Sequence, residues 1–310
     1  MPSDQGTAVE PQEGQRWMDA GLVPLPGLDD EEGLELPKQL PPVVDAHVHL
    51  FPSRVFAAIW RWFDRHAWPI RYKLNSEQVV DFLFRRGLSR IVALHYAHTA
   101  GMARALNQYL AEFCRADPRI IGLATVMPGE PGTAQILKEA FALGLKGVKL
   151  HCHVQCFSPD EDRVGPVYQE CESANLPMVI HAGREPSSQH YPCDTHQLCS
   201  ADRIERVLRD HPRLKLCVPH LGADEFDNYQ RLLERYDNLW LDTTMAIADY
   251  FPASASVDLI RYRPERILYG TDFPNLPYAW DRELRRLLAL KLPADAEAKI
   301  IGQNALSLFG

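Results

Sequence analysis

No apolar run in this 310-residue chain is long enough for a helical bilayer span, which takes about 20 residues. The start of the chain also lacks the basic segment and apolar stretch of a signal peptide. The seven cysteines are odd in number and scattered from Cys114 to Cys217, so free thiols in a reduced, cytoplasmic setting are expected. Cys193, His196 and Cys199 share one loop, but a lone trio of this kind is too weak a signal to predict a structural zinc. Basic clusters are scarce too. The net charge is −8; residues 1–42 carry nine acids against two bases, and the remainder is close to neutral. With no basic stripe to neutralise phosphates, neither nucleic acid nor a membrane is an expected partner. No Gly-x-Gly-x-x-Gly occurs, which argues against an open dinucleotide-binding sheet.

The composition, 46% hydrophobic and 24% charged, is that of a globular chain with a sizeable core. Residues 1–42 are rich in Pro, Gly and acid. They read as an extension, partly disordered or draped on the domain, with Trp17, Met18 and Leu22 to Leu25 as possible anchors. Residues 43–310 read as one domain. Short aliphatic runs fall at Val43–His49, Arg90–His95, Ile120–Val126, Gly147–His151, Met178–His181, Leu214–His220, Leu239–Thr243 and Arg266–Gly270. Between them lie segments with apolar residues three and four apart, among them Ser76–Arg86, Thr133–Leu143, Ala201–Asp210 and Ser254–Tyr262. Eight alternating strand–helix units predict a parallel sheet closed into a (β/α)8 barrel. Arg54–Arg65 is an aromatic insertion after the first strand, placed to overhang the mouth of such a barrel.

Catalytic groups of a barrel gather at the C-terminal ends of its strands. Here those ends carry histidines: His47 and His49, then His95, His151, His181 and His220, with Asp272 just past the last strand. On an extended strand Asp45, His47 and His49 share one face, and paired imidazoles suit zinc and other borderline divalent metals. One histidine at a strand end is ordinarily structural; several at equivalent ends converge on one volume and predict a metal site.

The runs Asp45-Ala46-His47-Val48-His49, Lys146 to His151, His181-Ala182-Gly183, His220-Leu221-Gly222 and Gly270 to Pro274 together resemble the amidohydrolase superfamily. The branch is the amidohydrolase-related one, which includes hydrolases and aminocarboxymuconate semialdehyde decarboxylase-like enzymes. The resemblance implies one divalent ion, expected to be zinc, held by His47, His49, His181 and Asp272. It implies that His220 handles a proton and that Asp272 steers metal-activated water. Lys149 is open between bridging a second ion, binding a substrate carboxylate and pairing with an acid. His151 is open between substrate contact and a solvent-facing pair with His153. Arg184, just after His181, is expected to grip a substrate carboxylate. The resulting expectation is a hydrolase of an amide, lactone or ester bond in a small molecule. The alternatives are a metal-dependent decarboxylase of a small aromatic or enoic acid, which would use the same ligands, and a catalytically silent binding protein. The resemblance also admits a homodimer.

Overall fold

The computed structural model describes residues 27–250 and 257–310. Trp17, Met18, the apolar run 22–25 and the expected helix start at Ser254 lie outside the described residues. Among the described residues there are eight strands: β1 (Val44–His49), β2 (Arg90–Leu94), β3 (Ile120–Gly122), β4 (Val148–His151), β5 (Met178–His181), β6 (Leu216–Val218), β7 (Leu239–Asp242) and β8 (Ile267–Leu268). All pairings are parallel, in the orders β1-β2-β3 and β4 through β8. Two seams join these arcs into a ring. Ala124 bridges to Val148, and Lys149 N–H donates to Ala124 O at 2.7 Å. On the other side Val48 bridges to Phe273, Ala46 N–H donates to Tyr269 O at 2.9 Å and His49 N–H to Phe273 O at 2.8 Å. The expected barrel is therefore the observed fold.

The helices that cover the ring follow from local chemistry. Helix α1 (Ser53–His66) is the aromatic insertion. Helix α2 (Ser76–Arg85) is capped by Asn75. Asn75 and Gln78 exchange side chain–backbone hydrogen bonds in a capping box that satisfies two helix-end donors, while the Ser76 hydroxyl is spent on Phe51 O. Helices α3 (Ala103–Ala116), α4 (Thr133–Ala142), α5 (Cys152–Gln155), α6 (Gly165–Ala174), α7 (Thr195–Leu198), α8 (Ala201–Asp210) and α9 (Phe226–Arg235) continue the series. Helix α10 (Val257–Tyr262), α11 (Arg282–Ala289), α12 (Ala294–Ala298) and α13 (Asn304–Phe309) complete it. Ala305, Leu308 and Phe309 of α13 pack with Val44, Val92, Ile121, Val179 and Leu268 of five strands in a separate apolar cluster, so the C-terminus plugs the barrel opposite the histidine-bearing ends.

The described part of the acidic extension is tied down by its charge. Arg71 donates to Gly27 O and Asp30 O and pairs with Glu32 at 3.2 Å, Trp280 donates its indole N–H to Gly33 O, and Gly33 N–H reaches Asp281.

One strand departs from the expected alternation in a way that matters. Val44 registers with Arg90 and His49 with Leu94, so five steps along β1 match four along β2, with the irregularity between Asp45 and Val48. A bulge of this kind adds one residue and re-aims side chains. Asp45 does not share the histidines' role. Its buried carboxylate accepts from His47 N–H at 3.0 Å, Thr271 N–H at 3.1 Å and Thr271 Oγ1–H at 2.6 Å. Asp45 thereby fastens the His-x-His strand to the segment that carries Asp272.

Candidate metal and active site

His47, His49 and Asp272 form a group of ligating atoms, all within 4.8 Å of one another and all buried. His49 Nε2 lies 2.8 Å and His47 Nε2 3.7 Å from Asp272 Oδ1. Asp272 sits at φ 77°, a left-handed conformation that L-residues adopt at a cost. It is held there by its own N–H on His47 O at 2.9 Å, by the Asp45–Thr271 clamp, and by Gly270, whose missing side chain leaves room for Thr244 and His47. Burial raises the Asp272 carboxyl, but the hydrogen bond from His49 and the surrounding imidazoles outweigh it and bring its pKa down to about 2. An anionic oxygen beside two neutral imidazole nitrogens is a donor set that fits a divalent ion.

Asp242 at the end of β7 is a residue that the sequence reading missed. Its Oδ2 lies 2.8 Å from His47 Nδ1, and its Oδ1 accepts from His220 N–H at 2.9 Å. A carboxylate on the far nitrogen fixes the tautomer and aim of a ligating imidazole, and losing such a partner typically costs about 10–100-fold in metal affinity. Asp242→Asn should weaken metal binding by about that factor, measured by competition with a chromophoric chelator. Unaltered affinity would remove Asp242 from the site.

His220 does not end a strand. It opens a short turn at φ 59°, pinned by Asp242 from below and by its own ring. His220 Nδ1 lies 2.9 Å from Thr244 O, a carbonyl that can only accept, so this nitrogen carries hydrogen and Nε2 is left for chemistry. Nε2 meets His181 Nδ1 at 3.1 Å. Burial lowers the His220 pKa, while the negative charges of Asp272 and Asp242 act to raise it.

His181 stands beyond the tight trio. Its Nε2 is buried without a hydrogen-bond partner, and its ring stacks on His151 at 4.1 Å and 13°. Ring nitrogens of His151, His153 and His181 also gather within 4.8 Å. Parallel stacked rings, however, direct their in-plane lone pairs side by side rather than at one point, which makes this group a poor second metal centre. Both His151 and His181 are pushed well below the usual histidine range, first by burial and then by neighbouring histidines, as suits neutral stacked rings. His153 is not solvent-facing. It is buried, with Nε2 2.7 Å from Gly183 O. His95 turns away to Asn107 at 3.1 Å and belongs to the core.

A cavity of about 830 Å³, counting its open mouth, leads to the trio. Lys149 and His151 line it, as do Tyr96, Trp68, Phe63 and Tyr191. Lys149 Nζ is 3.5 Å from His47 Nε2, and burial lowers its pKa to about 8 against the pull of Asp242 and Asp272. Helix α1 and the β5–α7 connection meet over the mouth through Trp62 on Tyr191 at 4.8 Å and His66 on His190 at 3.8 Å.

Arg184, expected to grip a substrate carboxylate, is not among the residues that line the cavity. Its guanidinium is taken by Asp224, at 3.1 and 2.7 Å, with Glu225 at 3.5 Å, two acids just before α9. Arg184→Ala should leave KM within about twofold and lower stability by roughly 1 kcal/mol or less, as for a partly exposed pair. Steady-state kinetics and a denaturant titration check both.

Residues 44–310 match the family described as Amidohydrolase. The 2-amino-3-carboxymuconate-6-semialdehyde decarboxylase of Dictyostelium discoideum is 26% identical over 136 residues, 39% of this chain and 38% of that protein. The 6-methylsalicylic acid decarboxylase of Penicillium expansum is 24% identical over 246 residues, 68% of this chain and 75% of that one. A dihydroxybenzoic acid decarboxylase from Polaromonas, solved with bound manganese, superposes with a TM-score of 0.64 at 16% identity, covering 87% of this chain and 97% of its own, and so shares the fold. The expectation of hydrolysis is corrected by these findings, since both curated relatives are decarboxylases. The two reactions draw on the same ligands, so the ligand residues alone did not separate them.

Proposed function

The chain belongs to the amidohydrolase family of metal-dependent TIM-barrel enzymes, and from that premise we propose that it is a non-oxidative decarboxylase of a small aromatic or enoic acid. The observation that carries the reading is the cavity: aromatic walls from Tyr96, Trp68 and Phe63 beside a buried cluster of cationic and ligating groups. A carboxylate drawn into such a place gives up its hydration, and replacement of CO2 by a proton removes the buried charge. Decarboxylases among the curated relatives support the same reading.

His47, His49 and Asp272 would hold one divalent ion, with His181 joining them through the Nδ1 that lies against His220. Zinc is the ion we assign to this donor set; elemental analysis distinguishes it from manganese. The ion supplies positive charge that binds and orients the substrate carboxylate. Lys149 adds a second positive charge on the same side, and the aromatic walls hold the ring or enoic chain. His220, with Nδ1 fixed on Thr244 O, delivers a proton from Nε2 to the carbon that bears the carboxylate; burial lowers its pKa, which eases release of that proton, and the negative charges of Asp272 and Asp242 act against the lowering. The new C–H bond forms as the C–C bond breaks; that bond's electron pair stays with the substrate carbon, and CO2 leaves.

The test is a mass-spectrometric screen of the metal-loaded enzyme against hydroxybenzoic and enoic acids, run in heavy-oxygen water and, separately, in D2O. The expected products have lost CO2, contain no heavy oxygen and carry one deuterium at the vacated carbon. Incorporation of heavy oxygen without CO2 release would overturn the reading. Silence of the metal-loaded protein across the panel would favour a binding protein.

A further inference from the structure

Four of the seven cysteines gather at the side of the cavity, two by two. Cys152 and Cys156 stand one helical turn apart, at the start of α5 and just after it, and Cys193 and Cys199 flank α7. The loop trio Cys193, His196 and Cys199 is not one site: His196 binds Glu185 at 3.1 Å, while the Cys193 thiol donates to His153 O on α5 at 3.4 Å. Cys152 and Cys199 are both fully buried. Cys156 and Cys193 are both half-buried at the surface. The Cys156 and Cys193 thiols also donate to one shared acceptor, His153 O, at 3.5 and 3.4 Å.

We propose that Cys156 and Cys193 form a reversible dithiol–disulfide site that reacts with low-molecular-weight disulfides and ties the β5–α7 connection to the turn after α5. Three observations argue for this pair over the others. Two thiols that donate to one shared acceptor lie near each other and need little movement to bond, whereas cysteines set far apart need backbone displacement. The pair is open to solvent, unlike Cys152 and Cys199. The two residues also come from different connections, so a bond between them constrains the wall of the cavity. Cys193 lies two residues from Tyr191, which lines the cavity and packs on Trp62 and on His153, and His153 in turn packs on His181 at 4.5 Å.

The chemistry balances by exchange. Burial, and then the Cys156 thiol, push Cys193 up to about 12. Cys156, having given up its proton, attacks the small disulfide RSSR, forms a mixed disulfide and releases one RSH. The Cys193 sulfur, its proton passing to the departing group, then attacks the Cys156 sulfur and releases the second RSH. The protein dithiol loses two hydrogens and two electrons, and RSSR gains both.

The test is peptide mapping by mass spectrometry of the full-length wild-type protein after treatment with oxidised glutathione, with unreacted thiols blocked by an alkylating agent. A Cys156–Cys193 cross-linked peptide is expected, reversed by dithiothreitol, with Cys152 and Cys199 still reduced. In Cys193→Ser the expected product is a glutathione adduct on Cys156 with no cross-link. Stable glutathione adducts in the wild type without a cross-link, a cross-link between other cysteines, or no reaction at Cys156 would each overturn the proposal. Because the readout is covalent mass, the result stands apart from whether the enzyme decarboxylates.

Discussion

Asp272→Ala is expected to reduce bound divalent metal from about one ion per chain to below roughly a tenth of that after dialysis, and to cut turnover by about 10³-fold or more. The reason is charge. Asp272 is the only anion in the trio, and its pKa of about 2 means that it offers a full negative charge at any ordinary pH. Alanine leaves two neutral imidazoles facing a cavity that also holds the Lys149 amine. Removing the metal from the wild type with a chelator should mimic the substitution, and adding zinc or manganese back should rescue the wild type alone. The backbone bond from residue 272 to His47 O does not need the carboxylate, so the fold should survive, as circular dichroism can check. A variant that keeps its full metal complement and its activity would remove Asp272 from the ligand set, and with it the reading of the cavity as an active site.

His220→Ala is expected to lower kcat by about 10²–10⁴-fold while metal content stays near that of the wild type. The split between the two readouts carries the argument. The Nδ1–Thr244 bond leaves Nε2, which meets His181 Nδ1, as the nitrogen of His220 turned to the site, and the ring centroid lies 5.6 Å from that of His47, close to the trio without being part of it. A group that moves a proton is missed at the chemical step, whereas a ligand is missed when metal is counted. Loss of metal in proportion to loss of rate would reassign His220 as a ligand, and a kcat within about threefold of wild type would end its role in proton transfer.

Much of this site was visible along the chain because the barrel's own periodicity exposes it. A parallel strand–helix repeat places every strand's C-terminal end on one rim, so a histidine at one strand end predicts the company of histidines at the others. His47, His49, His151, His181, Lys149 and Asp272 all line the cavity for that reason. Arg184 is the contrasting case. It follows a strand end and carries the right charge, but Asp224 and Glu225 belong to another connection, and nothing near Arg184 in the sequence announces them. Asp242 was overlooked for the opposite reason: a single aspartate ending β7 looks unremarkable until the fold sets it against His47, 195 residues away.

The amino-acid order alone determined the repeat, the closed barrel it implies and the identity of most groups on the rim, because strand and helix periods and strand-end positions are local properties. Only tertiary contact decided which of those groups act together. The bulge in β1, the left-handed turns at His220 and Asp272, the anchoring by Asp45 and Asp242 and the meeting of Cys156 and Cys193 at His153 O depend on ångström-scale approach between segments distant along the chain. Spacing within a segment does not encode that approach.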